Sequence, residues 1–363
     1  SGLVQGVDID IVPCYEVESA EKIKSAVDRT PFHVRYIEKS LPLKLSSDVR
    51  LLKQFLTANN LYGADAKTQG FSGYVCELLT IHYGSFVDVL KIAVNWKAGE
   101  VIDLEKHYKQ EDYPHLKTKF KNNALVLIDP TDKNRNTTSP VSAENFFKFK
   151  KIAKEFLKSP NEKYFSERKL QPLTSRELRK FQDQRRTEML LVKFTPPKVV
   201  PDILWPQLRR FAERLQNILE ETKYEFKTLR RDVYSNEKDA AIVLLEMEIL
   251  QLPDVQKRIG PSVFDAKDSK RFLEKYKNPM AGPFIEGDKW TVEIKRKFTT
   301  AYDKLQDSLK KNSEILKAKG IPNFIADEIA KKFEIISETD KISRLIKKDN
   351  EFGVFLRKYF TKF

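Results

Sequence analysis

The chain has 363 residues, 40% of them hydrophobic and 11% aromatic, which excludes a disordered chain and predicts two or three globular domains. Sixty-six Lys and Arg outweigh 52 Asp and Glu for a net charge of +14, the balance of a protein with a polyanionic partner. No apolar run approaches the roughly 18 residues of a membrane span and no signal peptide opens the chain, so nucleic acid is favoured over a membrane.

Cys14 and Cys76, with His33, His82, His107 and His115, offer no zinc-ligand spacing. They predict two buried, reduced thiols in a cytoplasmic protein.

The stretch Gly6-Val7-Asp8-Ile9-Asp10-Ile11-Val12-Pro13-Cys14-Tyr15 alternates apolar and acidic residues and predicts a half-buried strand over 6–15. Val7, Ile9 and Ile11 share one face, and Asp8 and Asp10 the other. Two carboxylates on a rigid strand suit a hard cation such as Mg²⁺, and they equally suit a solvated face. Ser1 stands where a methionine would, close ahead of a strand that cannot bury itself alone. This predicts that part of its domain precedes the sequence. Ser19 predicts the cap of a helix over 20–28, and Thr30-Pro31 the cap and first turn of the next. Ser46-Ser47 predicts the cap of a third helix, running to Asn59 with Val49, Leu52, Phe55 and Leu56 on its core face. Ser72 and Ser85 cap two apolar helices. Residues 104–123 read as a polar, basic surface loop, and 124–128 as a short buried strand stopped by Asp129-Pro130. Ser142 begins a helix through Leu157.

Beyond residue 166 the pattern changes. Strands are predicted over 188–194, 224–234, 240–250 and 290–297, an amphipathic helix over 205–221, and a helical, basic tail from Pro322. A β-α-β-β order with a later strand predicts a ferredoxin-like (RRM-like) sandwich carrying an insert around 252–287, and makes the chain a multidomain α+β protein.

Several segments, taken in order, point to one family. They are Lys24-Ser25-Ala26-Val27-Asp28-Arg29-Thr30-Pro31-Phe32-His33, Gly70-Phe71-Ser72-Gly73-Tyr74-Val75-Cys76-Glu77-Leu78-Leu79 and Asp129-Pro130 ahead of Arg135-Asn136. Further on come Gly260-Pro261, Pro283-Phe284-Ile285-Glu286, Arg296-Lys297-Phe298-Thr299-Thr300 and Phe333-Glu334-Ile335-Ile336-Ser337. Their collinear order over nearly the whole chain resembles the archaeal (class I) CCA-adding enzymes, tRNA nucleotidyltransferases related to poly(A) polymerases. The resemblance implies three parts. Residues 1–42 would be the C-terminal remnant of a polymerase-β-like nucleotidyltransferase head. Residues 43–165 would be a helical neck, like the substrate-binding domain of poly(A) polymerases, and 166–363 an RRM-like body and tail that binds tRNA.

The resemblance also implies the chemistry. It is template-independent addition of CCA to the 3′ end of tRNA from CTP and ATP, with Mg²⁺ neutralising charge on both sides of an in-line transfer. Three carboxylates hold the metal in the family, and the third falls on Asp10. The other two, and a Gly-Ser turn for phosphate, have no counterpart in these residues, so the segment alone is expected to be inactive while still binding tRNA. Thr30 and His33 align with a nucleotide-contacting turn, Lys53 and Tyr62 with triphosphate ligands, and Arg135 with a reader of the incoming base. Taken alone, Lys53 reads as a solvated lysine, His33 as a core-edge aromatic, and Arg135 as a loop arginine pairing with Asp132.

Basic clusters, among them Arg185-Arg186, Arg209-Arg210, Arg230-Arg231 and Arg357-Lys358, suggest a track for the tRNA acceptor arm that reads phosphates and duplex shape, with Lys297 a further contact. The partners implied are tRNA, ATP and CTP, and the resemblance leaves room for a homodimer. Two rivals stay open: a poly(A)-adding relative, and a non-catalytic protein that binds structured RNA.

Overall fold

The computed structural model describes residues 2–5, 7–9, 11–167, 169–221 and 225–361, and the chain divides into two compact units, Ser1–Lys169 and Leu170–Phe363.

The first unit opens with a small antiparallel hairpin, β1 (Gly2–Val4) and β2 (Val7–Ile9). Helices and a second small sheet follow: α1 (Thr30–Ser40), α2 (Ser46–Ala58), α3 (Gly73–Tyr83), α4 (Phe86–Ala93), β3 (Glu100–Ile102), α5 (Tyr113–Lys119), β4 (Leu125–Asp129), β5 (Asp132–Asn136) and α6 (Ala143–Lys158). The predicted core face of α2 is buried at Val49, Leu52, Phe55 and Leu56. Ser72, Ser85 and Ser142 each accept a backbone N–H in the first turn of α3, α4 and α6, as their positions predict. β4 lies between parallel β3 and antiparallel β5 and is buried along its whole length. Leu125 and Leu127 join the helical core, while Val126 and Ile128 pack with Leu116 of α5 on the other side. This two-sided burial explains an unbroken apolar run.

Several expectations for this unit are corrected. The strand expected over 6–15 is three residues long, because its partner β1 supplies three. Ile11, Val12 and Tyr15 are exposed. Cys14 is exposed too, so only Cys76 is the buried thiol, with burial pushing it up to about 12. Over 20–28 the chain forms a short 3₁₀ turn, Ala26–Arg29, in place of a helix. The Asp28 carboxylate accepts the N–H groups of Tyr15, Lys24 and Ser25 and the Ser25 hydroxyl at 2.7–2.9 Å, a local arrangement that competes with helix. Thr30 is the first helical residue of α1, not its cap, and α2 likewise begins after Leu45. The loop expected over 104–123 contains α5, anchored by Leu116. The Arg135 segment, expected as loop, is strand β5.

The second unit runs through α7 (Ser175–Arg185), β6 (Glu188–Phe194), α8 (Pro201–Leu219), β7 (Lys227–Ser235), β8 (Ala241–Ile249), β9 (Val255–Ser262), α9 (Ala266–Lys275), β10 (Ala281–Glu286), β11 (Lys289–Lys295), α10 (Ala301–Leu309), α11 (Ser313–Ala318), α12 (Asn323–Lys331), β12 (Phe333–Ile336), α13 (Thr339–Lys348) and α14 (Asn350–Phe360). Its main sheet is antiparallel in the order β12-β6-β8-β7. The fourth strand is therefore β12, inside the tail expected to be all helical. The strand near 290–297 is β11, which belongs to the separate three-stranded sheet β10-β11-β9 of the insert. The insert leaves and rejoins the sandwich through adjacent backbone: Leu252 N–H donates to Thr299 and Ala301 N–H to Leu250.

Both faces of the main sheet are covered. Met189 and Leu191 pack with Leu178 of α7, Ile342 of α13 and Phe352, Leu356 and Tyr359 of α14. On the opposite face Phe194 meets Phe211 of α8 edge-on at 5.7 Å. Glu246, fully buried on β8, accepts both Arg185 Nε (2.6 Å) and Nη2 (3.0 Å), the Thr187 hydroxyl and the Tyr359 hydroxyl. Each of its lone-pair directions is thereby satisfied.

Candidate active site

Two groups of side chains in the first unit hang on the N-terminal half of α3. Residues 61–63 run beside 70–71, with Phe71 N–H donating to Leu61, Gly63 N–H to Phe71 and Gly70 N–H to Gly63 at 2.7–2.9 Å. This brings Tyr62 to the start of the helix. A Cβ at Gly73 would lie 3.0 Å from the Tyr62 hydroxyl and 3.4 Å from Lys53 Nζ. Lys53 donates to Glu77 Oε1 across 2.7 Å. Burial acts to lower the Lys53 pKa, but the Glu77 hydrogen bond and charge outweigh it and hold the ammonium above its ordinary value. Burial raises the Tyr62 phenol.

The second group is centred on Asp129, the last residue of β4, whose side chain is fully buried. Its Oδ2 accepts from Arg135 Nη1 at 2.7 Å and lies 2.9 Å from His33 Nε2. Its Oδ1 accepts the Thr131 N–H and hydroxyl at 2.9 and 2.8 Å and the Tyr74 hydroxyl at 3.2 Å. The His33 and Tyr74 rings stack at 3.9 Å. Burial alone would raise the Asp129 pKa, yet His33, Thr131 and Arg135 together hold it well below the usual carboxylate range. Tyr74 is held far above its ordinary value by burial and the adjacent Asp129 charge, so it remains a donor. Arg135 does not pair with Asp132; Arg29 does, at 3.4 Å.

Of the sequence-predicted site residues, His33 and Arg135 therefore meet on one carboxylate, and Lys53 and Tyr62 meet at Gly73. Thr30 is exposed one helical turn before His33. Asp10 lies outside the described residues. Among those described, no three His, Cys, Asp or Glu side chains come together as a metal site. Three participants carry no site role in the sequence reading, although all lie in the family segments: Asp129, which also ends a strand, and Tyr74 and Glu77. A carboxylate closing a five-residue buried strand demands partners, and Tyr74 and Glu77 stand three residues apart on one helix face.

Residues 47–166 match the family model for the second domain of tRNA nucleotidyltransferases, and 185–338 the model for the C-terminal domain of CCA-adding enzymes. The chain is 38% identical to the CCA-adding enzymes of Methanosarcina acetivorans and Methanosarcina mazei over 357 residues, 98% of this chain and 74% of each relative. The CCA-adding enzyme of Methanoregula boonei is 38% identical over 302 residues, 83% of this chain and 63% of that protein.

The chain belongs to the CCA-adding enzyme family. It is a tRNA nucleotidyltransferase, and no helix among its described residues is long and apolar enough to cross a membrane.

For this nucleotidyltransferase the basic residues fall into two kinds. Arg185 is held by Glu246, and Arg357 by Glu177 and the carbonyls of Gln171 and Pro172. Arg230 lies 4.2 Å over the Tyr359 ring and donates to the Tyr359 carbonyl. Arg209 is half-buried on α8. Arg210, Arg231 and Lys297 reach solvent, Arg231 donating to Gln216 and Lys297 lying 3.6 Å from Asp307.

Proposed function

We propose that this protein adds CCA to the 3′ end of tRNA, taking CTP and then ATP. The observation that carries the reading is the pairing of two unlike ligand groups on one helix. A rigid arginine and histidine stand on the buried Asp129, and a lysine and tyrosine meet at the first turn of α3. Arg135, a planar fork with fixed donors, reads base edges, which differ among nucleotides. Lys53, a compact charge on a flexible stem, and Tyr62 bind the triphosphate, which does not differ. Thr30 and His33 contact the nucleotide from α1. Mg²⁺, with Asp10 as one of its ligands, would neutralise phosphate charge when bound.

Residues 1–42 are read as part of the nucleotidyltransferase head, 43–165 as the neck and 166–363 as the RRM-like body and tail. The body binds the tRNA acceptor arm through Arg210, Arg231 and Lys297, which reach solvent, with Arg209 beside Arg210 on α8, whereas Arg230 is engaged by Tyr359. The strand order β12-β6-β8-β7 supports the ferredoxin-like reading. Because α7, α13 and α14 cover one sheet face and α8 packs on the other, tRNA is taken by basic surface and not by an open sheet. The match of 185–338 to CCA-adding enzymes supports CCA addition over poly(A) addition. Work in the cytoplasm, as a monomer or homodimer, fits this reading.

The test supplies the full-length natural chain, Mg²⁺, CTP and ATP to tRNA lacking its terminal CCA. Addition of two cytidines and one adenosine is expected. A run of adenosines, or none of these products, overturns the reading.

A further inference from the structure

We propose that Asp129 is a positioning residue that determines nucleotide specificity, by locking Arg135 as a fixed donor and denying it the freedom of a mobile countercharge. The inference rests on the reading of Arg135 as the base-facing arginine, and concerns what makes it one.

Asp129 is itself immobilised. Its Oδ1 is held by the backbone and hydroxyl of Thr131 in the β4–β5 turn and by Tyr74 of α3, and its Oδ2 faces His33 of α1. Donors from two helices and a turn converge on a side chain with no solvent exposure. Arg135 is tied to that oxygen by Nη1 at 2.7 Å, while its side chain keeps 34% exposure. One corner of a rigid, planar fork is thus anchored.

The contrast with Lys53 gives the anchor its consequence. Both cations have a carboxylate at 2.7 Å. Glu77 is 23% exposed, so water takes over when Lys53 swings away to a phosphate. Asp129 has no such recourse: losing Arg135 strips a buried charge of a main partner, which is strongly unfavourable. Arg135 therefore cannot follow a phosphate and meets whatever is brought to its outer edge. A donor that cannot move rejects a base that fails to match it, whereas one that can move adapts to several.

The experiment measures kcat/KM for CTP, ATP, UTP and GTP with the full-length natural chain carrying Asp129→Asn, Arg135→Ala or both. The amide that Asp129→Asn introduces still accepts from Thr131 but no longer holds the guanidinium by charge. Asp129→Asn is expected to lower the ratio of correct to incorrect nucleotides roughly ten-fold, and to lower it no further in the Arg135→Ala background. General loosening of the fold would lower all four values together and leave the ratios alone. If Arg135→Ala lowers the ratios and Asp129→Asn does not, the inference is overturned and the base-reading role of Arg135 stands. If Arg135→Ala itself leaves the ratios intact, that role falls and the inference falls with it. Should Asp129→Asn not fold, Thr131→Val decides. It removes the 2.8 Å hydroxyl bond while sparing the charge, and a ratio unchanged in that variant overturns the inference.

Discussion

Lys53 of α2 and Glu77 of α3 are joined at 2.7 Å beside the Tyr62 hydroxyl, so the cation read as a triphosphate ligand rests on a carboxylate that a triphosphate must displace. Glu77→Gln removes that competing anion. KM is expected to fall for all four nucleotides together, with ratios unchanged, while folding stability drops by about 1 kcal/mol. Steady-state kinetics and urea melts check both halves. A rise in KM, or a change in selectivity, contradicts this role for the pair.

Adjacent arginines on β7 should behave differently. Arg230→Ala loses the Tyr359 ring contact and a carbonyl bond, and is expected to cost about 1–2 kcal/mol of stability. Arg231→Ala, at a solvent-facing position, should leave the melt alone. It should reduce the magnitude of the log–log salt slope of tRNA binding by about 1. Melts and filter binding between 50 and 200 mM salt, roughly the range where phosphate contacts dominate, separate the two. Equal effects of both variants on binding and none on stability would contradict the assignment.

Acid should loosen the first unit through Asp28. Burial acts to raise its pKa, but the N–H groups of Tyr15 and Ser25, the Ser25 hydroxyl and the Lys24 N–H outweigh it and bring it from 3.8 to about 2. A carboxylate depressed in the folded state contributes stability that is fully present above its unfolded pKa, and this is lost as pH falls through the folded one. The window therefore runs from pH 3.8 down to about 2. Asp28→Asn is expected to flatten the stability–pH curve there and lower stability at neutral pH. An unchanged acid slope would contradict this.

Much of the fold was legible because apolar pattern and burial agree. β6 and β8 lie within a residue of their expected bounds, and three serine caps fall where helix onset demanded them. Elements built from polar residues were not legible. β5 is Asp-Lys-Asn-Arg-Asn, with no apolar signal. It is held because the Asn136 side chain bonds the backbone of Leu125 and Leu127 in the neighbouring strand. α7 was missed because Leu178 is its only buried residue, although Thr174 and Glu177 form a capping box. In the candidate site the family motifs pointed to His33, Lys53, Tyr62 and Arg135. Their partners Asp129, Tyr74 and Glu77 could be found only once strands and helices were placed, since His33 and Asp129 are 96 residues apart in sequence.

The central claim is that Arg135 reads the base and Lys53 the triphosphate, and one comparison tests it most directly. kcat/KM is measured for CTP, ATP, UTP and GTP in the full-length natural chain carrying Arg135→Ala or Lys53→Ala, on tRNA ending before, within and after the two cytidines. Arg135→Ala is predicted to lose about 1–3 kcal/mol of discrimination for CTP and ATP over UTP and GTP. Lys53→Ala is predicted to raise KM for all four alike with the ratios preserved, the mark of uniform binding. Intact ratios in Arg135→Ala, or altered ratios in Lys53→Ala, would contradict the account.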